Sequence, residues 1–85
     1  MPLHCRRLLK KAAVAIEGRI SIKQNPDRDW PRDHARLRVL ERNGNLRWVG
    51  TQAGPHLGGT FATWQITDEG RHRVAAWEPP VLEIG

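Results

Sequence analysis

Four histidines, one cysteine and a short run of aspartates are the side chains of this 85-residue chain with intrinsic chemistry for catalysis or metal binding. Their spacing gives them little to do together. His4, His34, His56 and His72 form no H-x-x-x-H pair, and Cys5, with no C-x-x-C partner, cannot complete a zinc site alone. Asp27, Asp29 and Asp33 crowd the start of a helix, where a solvated acidic turn is a simpler account than catalytic carboxylates. Gly58-Gly59-Thr60 lacks the G-x-x-x-x-G-K pattern of a phosphate loop. With no converging site, the expectation is a non-enzyme that uses no cofactor, no metal and no small-molecule substrate.

Arginine is the residue type whose spacing does suggest a task. In the segment DHARLRVLERNGNLRW, Asp33 to Trp48, Arg38 and Arg42 stand four apart and share a helix face, and Arg36 forms a second pair along the flank with Arg32, the residue just before the segment. At about 100° per residue, Leu37 and Leu40 point one way, and His34, Arg38, Glu41 and Arg42 lie on roughly the opposite side. A guanidinium fork can hydrogen-bond guanine O6 and N7 in a major groove, or bind phosphate. The bland alternative is a solvated basic surface, with Glu41 neutralising its neighbours.

The distribution of charge agrees with this placement. Residues 1 to 50 hold twelve Lys or Arg against five Asp or Glu, a net of +7, whereas residues 51 to 85 carry a net of −2. Affinity for a polyanion therefore belongs to the first half, where Arg6, Arg7, Lys10 and Lys11 add to the helix arginines. These basic residues precede an apolar run, Ala12 to Ile16, that is too short for a signal-peptide core or a membrane span. A lone cysteine forms no internal disulfide, so a cytoplasmic protein without membrane association is expected, with Cys5 an inert thiol near a frayed end.

The elements that must position the arginines follow from pattern and punctuation. Leu8, Leu9, Ala12, Ala13 and Ile16 recur at helical spacing and predict a first helix, stopped by Gly18. Arg19 to Lys23 alternates as a short half-buried strand. Gln24 to Pro31 contains two prolines and leaves room for at most one turn, Asp27 to Trp30, with Trp30 plugging the core. The second helix begins at Pro31 and ends on Asn43-Gly44. Asn45 to Gly50 and Phe61 to Ile66 predict a hairpin, with Trp64 and Ile66 on one face and Thr63 and Gln65 on the other. Its tip contains Gly54, Pro55, His56, Gly58 and Gly59, a flexible composition that bears no Lys or Arg. Thr67 caps a last helix that packs through Val74, Ala75 and Trp77 and stops at Glu78-Pro79-Pro80. The tail Val81 to Gly85 is apolar enough to dock on the core or on a partner.

The predicted fold class is α+β: three helices with a small antiparallel sheet, in one domain over residues 1–85 with 79–85 a C-terminal tail. At this length the core is modest. The order helix, strand, helix, strand, wing, strand, helix resembles the winged helix-turn-helix superfamily. The segments LERNGNLRW and W-x-IT-x-x-GR are similar to parts of its small bacterial and phage regulators, over roughly Leu8 to Trp77. The chain departs from that pattern in having one helix between its first two strands where a full member has two.

The resemblance implies a double-stranded-DNA-binding protein, a regulator of transcription, with Arg32, His34, Arg36, Arg38 and Arg42 on the duplex and Arg6, Arg7, Lys10 and Lys11 adding phosphate attraction. The alternative is a non-catalytic protein-interaction or homodimerisation module on a degenerate winged-helix scaffold. One continuous exposed stripe of helix arginines would favour DNA, and pairing with Asp27, Asp29 or Glu41 would favour the module.

Overall fold

The computed structural model of the chain describes residues 1–53 and 59–77. Along the chain run α1 (Leu3–Val14), a 3-10 turn (Ile16–Gly18), β1 (Arg19–Gln24), α2 (Arg32–Arg42), β2 (Leu46–Ala53), β3 (Thr60–Ile66) and α3 (Asp68–Trp77). The class is therefore α+β, three helices with one three-stranded antiparallel sheet. The tip expectations at Gly54, Pro55, His56 and Gly58, and the tail from Glu78 to Gly85, lie outside the described residues.

The sheet order is β1-β3-β2, so β3 is the central strand and pairs antiparallel with both neighbours. Alternation along β3 puts Ala62, Trp64 and Ile66 inside and leaves Phe61, Thr63 and Gln65 on the far face. On that far face the polar side chains satisfy one another across strands. Ser21 and Thr63 share a hydrogen bond of 2.7 Å, and Arg47 donates to Gln65 Oε1 at 2.8 Å. This is how an antiparallel sheet faces water on one side and a core on the other. A bulge between Trp48 and Gly50 inserts Val49 into the β2–β3 pairing.

The core is one cluster. Cys5, Leu8, Leu9 and Ala12 of α1 meet Leu37 and Leu40 of α2 and Ile20, Leu46, Ala62, Trp64 and Ile66 of the sheet. Helix α1 packs against both other helices and the sheet. Arg7 meets Asp33 at the start of α2, and Pro2 and Cys5 lie beside Val39 further along it, so α1 and α2 run antiparallel.

Several expectations are corrected. Helix α1 ends at Val14, four residues before Gly18: Ala15 is extended and Glu17 has φ 61°, which turns Ile16 out to 91 % exposure. Cys5 sits in the core rather than on a frayed end, because α1 already begins at Leu3. Residues 25–31 make a turn around Pro26-Asp27 and no helix, and Trp30 lies at the rim of the core while Trp64, fully buried, fills its centre. On α3, Val74 and Trp77 pack inward and Ala75 is exposed.

Helix α2 is held firmly at its C-terminal end. Gly44, at φ +80°, adopts the left-handed conformation of a Schellman motif, in which Asn45 N–H bonds back to Leu40 O at 2.9 Å and Gly44 N–H to Glu41 O at 3.0 Å. The next elements lock onto this turn. Thr67 Oγ1 donates to Gly44 O at 2.6 Å and accepts from Gly70 N–H at 3.0 Å, as expected of an N-cap, while Thr67 N–H reaches Asn45 O. Gly70 is required there, since a Cβ would strike the Asn45 carbonyl. Asn45 itself is fully buried: its Oδ1 accepts from Arg73 Nε at 3.0 Å, and its Nδ2 finds no partner among the described residues.

Candidate functional site

The two faces of α2 can be built from its sequence. Leu37 and Leu40 turn into the core, and His34 and Glu41 turn sideways onto the sheet, both half-buried. That leaves Arg32, Ala35, Arg38, Val39 and Arg42 exposed on the side away from the core. Arg32, Arg38 and Arg42 make no side-chain hydrogen bond or ion pair with any described residue.

Glu41 does not neutralise them, for a specific reason. Its Oε1 accepts a hydrogen bond from the indole Nε1 of Trp64 at 3.0 Å, so the carboxylate satisfies the one polar atom of the central buried aromatic. Next to it, His34 is stacked on Trp30 with ring centroids 4.5 Å apart and meets the edge of Trp64 at 5.5 Å. Trp48 continues the series against Trp64 at 5.0 Å and is 41 % exposed. His34, Arg38, Glu41 and Trp48 together line an open cleft of about 240 Å³. Burial first, and then the charge of Arg38, push the His34 imidazole below its ordinary pKa. The ring expected to face outward is instead packed against Trp30 and Trp64, with one side reaching the cleft.

Arg36 and Arg7 are placed differently from the other arginines. Both converge on Asp33, Arg36 at 2.7 Å and Arg7 at 3.3 Å, across the α1–α2 seam. The hydrogen bond from Arg36, helped by Arg7, holds the Asp33 carboxyl below the usual carboxylate range against the opposing effect of its burial. Arg6 lies on the other flank of α1, its guanidinium 4.7 Å from the Trp77 ring centre in a cation–π contact. Lys10 and Lys11 are exposed on α1. The expected stripe is thus divided: Arg32, Arg38 and Arg42 share the outward face of α2, Arg7 and Arg36 pair internally, and Arg6 faces α3. The carboxylate that pairs is Asp33, not Asp27, Asp29 or Glu41.

Sequence reasoning missed two features beside the arginines. Ala35 and Val39, one helical turn apart, form an exposed apolar ridge, with Val39 43 % exposed. The ridge separates an open cleft of about 330 Å³, lined by His34, Arg38 and Arg42, from one of about 400 Å³, lined by Pro2, His4 and Arg36. Counting the wheel positions opposite Leu37 and Leu40 would have found it. Trp48, read as an ordinary strand position, borders the same surface.

A larger open cleft of about 790 Å³ lies between the 24–29 loop and the tip-side ends of β2 and β3, at Ala53 and Thr60, and includes Asp27 and Asp29. Among the described residues no three His, Cys, Asp or Glu side chains could hold a metal ion together, and no helix is long and apolar enough to cross a membrane. Comparison with protein-family models, curated proteins and solved structures gives no match.

Proposed function

We propose that this chain is a small winged-helix-like protein that binds double-stranded DNA in the cytoplasm as a regulator of transcription, with α2 as the helix that enters the major groove. The observation that carries the reading is the group of three exposed arginines, Arg32, Arg38 and Arg42, on one helix face and free of carboxylates among the described residues. An α-helix has the diameter the major groove accepts, and guanidinium groups match both phosphate and the guanine edge. The β1-β3-β2 order, with the β2–β3 hairpin directly following α2, agrees with the winged-helix arrangement. The turn at residues 25–31 stands where the first helix of a helix-turn-helix pair would be, so α2 is braced by α1 and by the Thr67 knot.

The test is a salt titration of binding to mixed-sequence duplex DNA, read by fluorescence anisotropy. Affinity should fall steeply with salt, with a log–log slope of about −0.9 for each phosphate neutralised. Arg38→Ala/Arg42→Ala should weaken binding and flatten that slope. Absence of binding by micromolar wild-type protein in low salt defeats the proposal.

A second reading, a homodimerisation module, is favoured by Val14 and Ile16, both strongly exposed at the end of α1. Light scattering decides it: a monomer at all concentrations removes this reading.

A further inference from the structure

The ridge of Ala35 and Val39 has the chemistry of a base-reading element, and we infer that it contacts thymine C5-methyl groups on the floor of the major groove. The inference rests on the DNA-binding reading above and names what α2 would recognise. Ala35 and Val39 are both exposed, stand four residues apart, and project from α2 opposite its buried leucines. Arg38 and Arg42 flank the ridge on one side and Arg32 on the other.

This profile, cationic at the margins and apolar along the crest, selects among occupants. A second copy of the chain would have to dock by two-fold symmetry, ridge on ridge, which would bring Arg38 and Arg42 against their own counterparts. An aliphatic groove on another protein would cover the crest and leave the guanidiniums to be desolvated without partners. A major groove presents the complement: phosphates along both rims and, at thymine, a methyl group on its floor. The two crest residues are about 6 Å apart along the helix, close to two base-pair steps. Alanine and other small apolar groups are the side chains suited to that methyl, as arginine is to guanine. The enriched site is therefore expected to contain thymines, read by Ala35 and Val39, with Arg38 and Arg42 on the phosphates of the adjoining rim.

The experiment removes single methyl groups. A duplex enriched from a random pool by the wild-type protein is compared with the same duplex carrying deoxyuridine in place of thymine, using wild type, Val39→Ser and Ala35→Ser. Both positions are exposed, so folding should survive, and circular dichroism checks it. Wild type should lose about fourfold in affinity for each contacted methyl removed, the equivalent of about 0.8 kcal/mol for one buried methylene-sized group. Val39→Ser should narrow the thymine–deoxyuridine difference while keeping the salt slope, because no phosphate contact is lost.

Equal wild-type affinity for the two duplexes overturns the inference and leaves DNA binding standing. A difference that persists undiminished in both serine variants also overturns it. If wild type is a dimer that Val39→Ser converts to a monomer, the crest belongs to a protein interface and the inference fails. No duplex binding at all ends both this inference and the reading on which it rests.

Discussion

Arg7 with Arg36, and Arg38 with Arg42, are two arginine pairs on neighbouring surfaces of one small protein, and they have opposite fates. The first pair closes on Asp33 across the α1–α2 seam. The second stands on the outward face of α2 with a carboxylate, Glu41, one turn away that is already held by an indole. The difference is not in the arginines. It lies in which acid is free: among the described residues Asp33 has no competing donor and collects two guanidiniums, while Glu41 answers to Trp64. Charge available for a partner is set by tertiary hydrogen bonding, which helical spacing alone does not reveal.

The strongest way to break the contrast is at Trp64. Trp64→Ala should cost about 3–5 kcal/mol of stability by opening a cavity at the centre of the sheet, measured by urea unfolding. The milder Trp64→Phe keeps most of the volume, leaves a small cavity and removes the indole donor. It should cost about 1–2 kcal/mol and release Glu41 to pair with Arg38, weakening DNA binding. Unchanged DNA affinity in a folded Trp64→Phe protein would show that Glu41 is not held back in this way.

Removing the paired acid should act in the reverse sense. Asp33→Asn frees Arg7 and Arg36, so DNA binding should tighten at low salt and its salt slope should steepen. Stability should fall by about 1 kcal/mol, as expected for partly exposed ion pairs near a helix start. Since the folded-state pKa of Asp33 is depressed, its stabilising effect is present above the ordinary carboxylate range and is lost as pH falls below about 4. A denaturation midpoint for Asp33→Asn identical to wild type at pH 7 would remove the pair's structural role.

The smallest effect belongs to His34. Its folded pKa is lowered, so above about pH 6.5 both folded and unfolded chains hold it neutral and nothing is lost. Below that, the unfolded chain takes up a proton that the folded protein resists, and stability declines with falling pH. Urea midpoints between pH 7.5 and 5 should show this decline in wild type and a shallower one in His34→Gln.

Much of the framework was legible where a local rule governs. Pro31 and Asn43-Gly44 bracket α2 because proline suits a helix start and Gly44 adopts positive φ, and Trp64 and Ile66 separate from Thr63 and Gln65 because a strand alternates. What escaped was decided across the chain. Arg7 and Asp33 are 26 positions apart, and no local pattern pairs them. Ile16 continues the spacing of Leu9 and Ala12, yet the extended Ala15 and left-handed Glu17 turn it outward so that β1 can enter the sheet. The same holds within the candidate site: the arginines of α2 were visible in sequence, but only packing shows which of them remain exposed.

The knot at Thr67 gives this arrangement a mechanical meaning. Because the Thr67 hydroxyl joins the Gly44 carbonyl just past α2 to the Gly70 amide in the first turn of α3, and Asn45 bonds to Leu40 on one side and to Thr67 and Arg73 on the other, the two helices should open and close as a single unit. The amide hydrogens of Asn45, Thr67, Gly70 and Arg71 should therefore exchange with solvent at one common free energy. On the proposed DNA-binding reading, a helix so fastened would meet the duplex already ordered, with little freedom left to lose on contact.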